Sequence, residues 1–195
     1  MNNIWIVLQQ EPLETIYFED LQRFIIDKHP GAPMYSADRL HMTLFHFGFP
    51  SIMYKDIKRS RGNLSYQTFE ASLGELMQEL HEISNNEIML SSTGIVELFG
   101  SPHDGKVVLR FENTLKLKKK RSPYIEKVYY WMEGLGIKDP ETFMENSRNF
   151  KHNGENSYKP HVTLGYAPKG FARLIFPEKK IRFTTAYLFN FDKLF

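Results

Sequence analysis

Two short segments carry the residue types of acid–base chemistry in the same order. They are Leu40-His41-Met42-Thr43-Leu44 and Pro160-His161-Val162-Thr163-Leu164. Each sets a histidine two positions before a threonine in an apolar stretch with strand character, and in a strand residues i and i+2 point to one face. His41 and Thr43 therefore share a face, as do His161 and Thr163. Met42, Leu44, Val162 and Leu164 turn the other way, into a core. Laid side by side, the two strands would line one cleft with two imidazoles and two hydroxyls, an acid–base pair with two hydrogen-bond donors for an anion between them. An unperturbed imidazole has a pKa of about 6.5, so near neutral pH one ring can be neutral while its neighbour holds a proton.

The segments between the motifs read as alternating strands and helices. Ile4 to Leu8 is a short buried strand. Pro12 opens a helical pattern through Leu13, Ile16, Tyr17, Leu21, Phe24 and Ile25, ended by Pro30-Gly31. The first motif strand is expected over 37–49. Residues 51–66, polar and basic with a Gly62-Asn63 turn signal, read as a loop. Phe69, Leu73, Leu76, Met77, Leu80 and Ile83 predict an amphipathic helix ending near Asn85-Asn86. Glu87 to Leu98 and Lys106 to Phe111 read as a hairpin, with a break at Gly94 and a turn over 99–105. Ser122-Pro123 reads as a helix start, with serine as N-cap and proline at the first helical position. Residues 138–157 read as a long loop or lid, 158–167 as the second motif strand and 180–191 as a final strand. The expectation is a single two-lobed domain over 1–195.

The chain of 195 residues has ordinary hydrophobic (42%) and charged (25%) content, which fits a folded globular unit. A net charge of +2 selects no partner by itself. Two basic runs, 55–61 and 116–121, read first as solvated loops and helix ends, and second as attractors for a phosphate-bearing ligand. With no cysteine, disulfides and thiolate-bound zinc are excluded. The only early apolar run is too short for a signal peptide and no later run suits a membrane span, so a cytoplasmic protein with no membrane partner is expected. Oligomeric state is not legible, a monomer being the default.

A lone histidine in a strand is more often structural than catalytic; here the duplicated context favours chemistry for His41 and His161. Phe45 and Phe47 continue the His41/Thr43 face, and Tyr35 and Tyr158 flank the strands. Phe45, Tyr35 and Tyr158 are thus candidates for stacking a nucleobase or walling the cleft, with core packing as the competing reading. Gly165 continues the other face and suits close approach of a backbone or ligand. His46, five residues after His41, faces the other side of a regular strand and makes a poor metal pair, so neither metal nor cofactor is expected. His29, His81, His103 and His152 read as surface residues.

His41-Met42-Thr43-Leu44-Phe45-His46-Phe47-Gly48, with Lys159-Pro160-His161-Val162-Thr163-Leu164-Gly165 downstream, resembles the two-histidine (2H) phosphoesterase superfamily, in particular its 2′-5′ RNA ligase-like and RNA 2′,3′-cyclic phosphodiesterase branches. The central segment, Ile88 to Phe99 and Lys106 to Leu109, is similar too, so the resemblance spans roughly residues 3–190. It implies an α+β fold of two lobes, each an antiparallel-rich sheet with helices outside and the cleft between. It also implies a metal-independent phosphodiesterase in which His41 and His161 are acid and base and Thr43 and Thr163 bind the phosphate. The substrate would be RNA ending in a 2′,3′-cyclic phosphate or a 2′-5′-linked oligonucleotide. Two alternatives stand beside it: a hydrolase of a cyclic or oligonucleotide signal, as in defence evasion, and a non-catalytic RNA-binding module.

Overall fold

The computed structural model describes residues 3–83, 87–100, 105–147, 149–150, 152–154 and 157–190, with backbone alone for 185–190. Seven strands form one antiparallel network, β1 (Ile4–Gln10), β2 (His41–Gly48), β3 (Ile88–Phe99), β4 (Lys106–Phe111), β5 (His161–Tyr166), β6 (Leu174–Ile175) and β7 (Lys180–Asn190), in the order β4-β5-β2-β1-β7-β3-β6. The twelve-residue β3 joins the two halves of the sheet. Its first residues, Ile88 to Ser91, pair with β7, and its later ones, Ser92 to Phe99, pair with β4. Inside the second stretch, where the register with β4 shifts between Ser92 and Val96, stands Gly94 at φ +66, where a Cβ would lie 2.3 Å from the Phe176 carbonyl oxygen. Only glycine tolerates that backbone so close to another.

The halves, β2-β1-β7 with the start of β3 and β5-β4-β6 with its end, meet again through one residue pair, Met42 opposite Val162. The two motif strands are thus neighbours that diverge almost at once.

One face of this network carries the core. Ile6, Leu8, Met42, Leu44, Val107, Leu109, Val162 and Leu164 are all buried there under the helices. α1 (Thr15–Lys28) buries Tyr17, Phe18, Leu21 and Ile25. α3 (Tyr66–His81), capped by the Ser65 hydroxyl on the Thr68 N–H, buries Phe69, Leu73, Leu76 and Leu80. Between them α2 (Pro50–Arg61) occupies the segment expected to be a loop. Its apolar stripe is only Pro50, Met53 and Ile57, too sparse to stand out among polar neighbours. Pro50 in the first turn starts it, and Gly62, at φ +78, ends it.

α4 (Leu115–Gly134) begins seven residues before the expected serine. Thr114 is the N-cap, accepting from the Leu117 N–H, and Pro123 lies inside the helix. The stripe Leu117, Arg121, Tyr124, Val128 runs straight through the basic run, which therefore is helix with its other lysines turned outward. The expected loop 138–157 contains α5 (Pro140–Asn146), capped by Asp139 on the Thr142 N–H. The second motif strand starts at His161, later than expected, and the first at His41 after a 3-10 turn over Ala37–Arg39. Of the turn expected over 99–105, Phe99 ends β3 and residues 101–104 lie outside the described ones, as do the helix end at Asn85-Asn86 and Phe191. Among the described residues no helix is long and apolar enough to cross a membrane.

Arg121 is buried at 3% exposure. Its Nε donates to the Leu44 carbonyl at 3.0 Å and its Nη2 to the Asn153 carbonyl at 2.7 Å, while the guanidinium sits 3.5 Å over the Tyr158 ring. Replacing it by methionine keeps the stem but leaves two carbonyls without these donors. Arg121→Met is expected to cost about 3 kcal/mol in urea unfolding, against less than about 0.5 kcal/mol for Lys119→Met on the outer face of the same helix.

Candidate active site

The pair Met42–Val162 sets the register of the site. In an antiparallel ladder it places His41 across from Thr163 and Thr43 across from His161. Directly opposed Cβ atoms lie about 5 Å apart and diagonal neighbours about 7–8 Å, so the two imidazoles sit diagonally with one hydroxyl beside each. His41, Thr43, His161 and Thr163 are all partly buried, between the closed core and open solvent. The structure brings together the four residues that the motifs single out.

Both rings are held the same way. His41 Nδ1 lies 3.1 Å from the Arg39 carbonyl and His161 Nδ1 lies 2.7 Å from the Lys159 carbonyl. A carbonyl only accepts, so each Nδ1 carries the proton and donates. In the neutral ring Nε2 then bears the lone pair.

A β-bulge follows each motif. Thr43 pairs with Val7 but Phe45 with Ile6, leaving Leu44 as the extra residue. Thr163 pairs with Val108 but Gly165 with Val107, leaving Leu164 extra. A bulge reverses which face the following side chains take. Phe45 and Phe47 therefore enter the core beside Phe150, at 1% and 0% exposure. Phe45 is a core residue and not a stacking platform. His46 is turned instead to the His41 side, where Trp5 packs between the two rings at 6.0 and 5.8 Å. Its Nε2 lies 3.0 Å from Asn3 Oδ1. Gly165 admits a backbone, since a Cβ there would stand 2.2 Å from the Pro33 carbonyl oxygen.

Tyr158 is also inside. Its hydroxyl donates to the Thr43 carbonyl at 2.9 Å, beneath Arg121. It braces the strand from behind and does not wall the cleft. Tyr35 stays at the surface, 36% exposed, its hydroxyl accepting from Lys106 Nζ at 2.9 Å.

No protein-family model matches the sequence, and comparison with curated proteins gives no match. Solved structures do match. The chain is similar to the protein TT0787 of Thermus thermophilus at a TM-score of 0.52 and 14% identity, over 92% of this chain and 84% of that one. It is similar to a phosphoesterase at a TM-score of 0.50 and 11% identity, over 97% and 98%. The chain has the two-histidine phosphoesterase fold.

Within that fold the two halves of the site repeat position by position. The ladder pairs Trp5, Val7 and Gln9 of β1 with His46, Thr43 and His41, and Lys106, Val108 and Arg110 of β4 with Tyr166, Thr163 and His161. Val7 and Val108 are fully buried yet stand apart from the helix-covered core, forming the floor of the cleft. The sequence carries the signal for these residues as two matching five-residue strands, Trp5-Ile6-Val7-Leu8-Gln9 and Lys106-Val107-Val108-Leu109-Arg110. Their alternate polar positions face the cleft because their neighbours' motifs do. Two more residues join from elsewhere. Phe99 of β3 stacks on His161 with centroids 4.4 Å apart, and exposed His152 lies close enough for its charge to act on His46 and His161. His29 and His81 lie away from the site at the ends of α1 and α3, and His103 is outside the described residues. No three histidine or carboxylate side chains converge as a metal-binding group among the described residues. A surface cavity of about 720 Å³ between α2 and α5, lined by Asp56, Arg59, Lys138 and Thr142, holds neither His41 nor His161.

Burial holds the His41 imidazole below its ordinary pKa, against the opposing pull of the Arg39 carbonyl. Burial lowers His161 as well, offset by the Lys159 carbonyl and reinforced by the nearby charges of Arg110, His41 and His152. His46 is pushed down to about 4, chiefly by burial. All three rings resist protonation in the folded state, so as pH falls below the ordinary value of about 6.5 the unfolded chain takes up protons first. Their contribution to stability is complete above that pH and is lost on the way down to each folded-state pKa. For His46 alone the shift corresponds to about 3 kcal/mol. Urea unfolding of the His46→Gln variant is therefore expected to weaken less than that of the wild type between about pH 7 and about pH 4; equal slopes would show that His46 is not the group responsible.

Proposed function

We propose that the chain is a metal-independent phosphodiesterase of the two-histidine class, acting as a single two-lobed unit on RNA ends bearing a 2′,3′-cyclic phosphate or on 2′-5′-linked oligonucleotides. The observation that carries this reading is the Met42–Val162 pair, whose antiparallel register sets His41 and Thr43 against Thr163 and His161 on one open face, with each Nδ1 tied to the carbonyl two residues before it. That arrangement presents two Nε2 atoms and two hydroxyls around a space suited to one tetrahedral anion. Among the described residues neither threonine hydroxyl is used in an internal hydrogen bond, which leaves both for phosphate oxygens.

With a 2′,3′-cyclic phosphate, Nε2 of the neutral histidine takes a proton from water as the water oxygen attacks phosphorus. One ring P–O bond breaks, and the protonated histidine delivers its proton to the departing ribose oxygen. The threonine hydroxyls hold the non-bridging oxygens as negative charge builds on them. With a 2′-5′ linkage the adjacent 3′-hydroxyl is the nucleophile, and the 5′-oxygen of the next nucleotide leaves with the proton. Which histidine serves as base is set by the direction in which the substrate lies. Phe99 beside His161 and Trp5 beside His41 present rings on which a base can stack, in place of the buried Phe45 and Tyr158.

The test is turnover, in excess EDTA, of a panel holding cyclic-phosphate RNA, 2′-5′ oligoadenylate, matched 3′-5′ RNA and cyclic dinucleotides. His41→Ala and His161→Ala are each expected to lose about 10²–10⁴-fold in kcat. Cleavage confined to cyclic dinucleotides would favour the signal hydrolase, and binding without turnover the RNA-binding module. Because the active pair needs one neutral and one protonated ring, and burial lowers both, kcat/KM is expected to peak below about pH 6.5 and to fall above it. An optimum well on the alkaline side would remove the histidine pair from the mechanism.

A further inference from the structure

The two halves of the cleft match at the histidines, the threonines, the bulged leucines and the floor valines; they differ at Gln9 and Arg110, the latter met by Glu97, and at two diagonal corners. Where one half has Trp5 facing His46, the other has Lys106 facing Tyr166. A site with two-fold chemistry cannot choose the direction of its substrate, so direction is decided where the symmetry fails. One corner is flat and aromatic. The other holds a cation.

Lys106 Nζ lies 3.1 Å over the centre of the Tyr166 ring and donates to the Tyr35 hydroxyl at 2.9 Å, and the two tyrosine rings meet edge to face at 5.6 Å. Tyr35 is 36% and Tyr166 48% exposed, so the cluster opens to solvent. Among the described residues no carboxylate pairs with Lys106, whereas the other cation of β4, Arg110, is met by Glu97. The cluster is not needed to fasten the segment before the first motif to β5. Backbone does that already, through the Tyr35 N–H to the Leu164 carbonyl, the Tyr166 N–H to the Pro33 carbonyl and the bridge between Met34 and Gly165.

We propose that Lys106, framed by the Tyr35 and Tyr166 hydroxyls, is a second phosphate subsite that receives the phosphate neighbouring the scissile one. The inference rests on the phosphodiesterase reading above and narrows it. The preferred substrate carries a further phosphate on the nucleotide being cleaved, as an oligonucleotide end does and a bare cyclic nucleotide does not. Position supports the assignment. Lys106 stands two residues along β4 from Val108, which pairs with Thr163, a rise of about 6.6 Å, and a single nucleotide spans such a step between its successive phosphates. Chemistry supports it as well: an ammonium has three donors, of which Tyr35 takes one, and the two phenols add donors of their own.

The test compares adenosine 2′,3′-cyclic phosphate with the same molecule bearing a 5′-phosphate. The wild type is expected to favour the 5′-phosphorylated form by about 10–100-fold in kcat/KM, expressed mainly in KM. In Lys106→Gln the ratio is expected to collapse to within about twofold, and Lys106→Arg, which keeps the charge, to retain most of it. A wild type indifferent to the 5′-phosphate, or a Lys106→Gln variant that keeps the preference, overturns the proposal. If the wild type cleaves neither compound, the catalytic reading fails separately, and the subsite is read by calorimetric binding of adenosine 3′,5′-bisphosphate against adenosine 3′-phosphate. Tighter binding of the bisphosphate that disappears in Lys106→Gln supports the subsite. Equal affinities in the wild type refute it.

Discussion

The site depends on two strands that touch once and then separate. Met42 and Val162 form a single antiparallel pair, and beyond it the ladder between β2 and β5 opens. Opening a ladder inside a protein exposes carbonyls that need partners, because an unpaired buried backbone group costs as much as a lost hydrogen bond. The chain meets that requirement on both sides. On β2 the Thr43 carbonyl accepts from the Tyr158 hydroxyl and the Leu44 carbonyl from buried Arg121. On β5 the Leu164 carbonyl accepts from the Tyr35 N–H and the Gln22 side chain. These caps permit the two motif strands to touch at one pair and then separate.

The bulges at Leu44 and Leu164 complete the same device. Each lets a strand present His and Thr to the cleft and then turn its next apolar residue into the core without a loop. The cost is a strict local geometry, visible where Gly165 admits the Pro33 carbonyl. The gain is a face of histidines and threonines built on sheet, where backbone hydrogen bonds hold the groups more firmly than a loop would.

Electrostatically the cleft is a place where imidazoles prefer to be neutral. Burial lowers His41 and His161, and Arg110 adds to the effect on His161 alone, since Gln9 occupies the matching place beside His41. An anion entering the cleft would supply negative charge that favours the protonated form of a ring. The halves are thus alike in strand geometry and unlike in charge.

The two His-x-Thr segments were legible because a two-residue period in an apolar stretch needs no tertiary information to place alternate side chains on one face. The helices α1 and α3 and the hairpin β3–β4 were legible for the same reason, through dense apolar spacing. Where the signal was thin, at Pro50, Met53 and Ile57 of α2, or hidden under a basic run, at Leu117 and Arg121 of α4, the local pattern misled. The sequence by itself determined the motif strands, the α+β class and the four residues of the candidate catalytic centre. Tertiary structure alone decided that Phe45 and Tyr158 belong to the core while Trp5, His46, Phe99 and Lys106 border the cleft. The reason is physical: a bulge reverses the facing of every residue after it, and whether a strand bulges is set by the partner strand's register, which no local pattern contains.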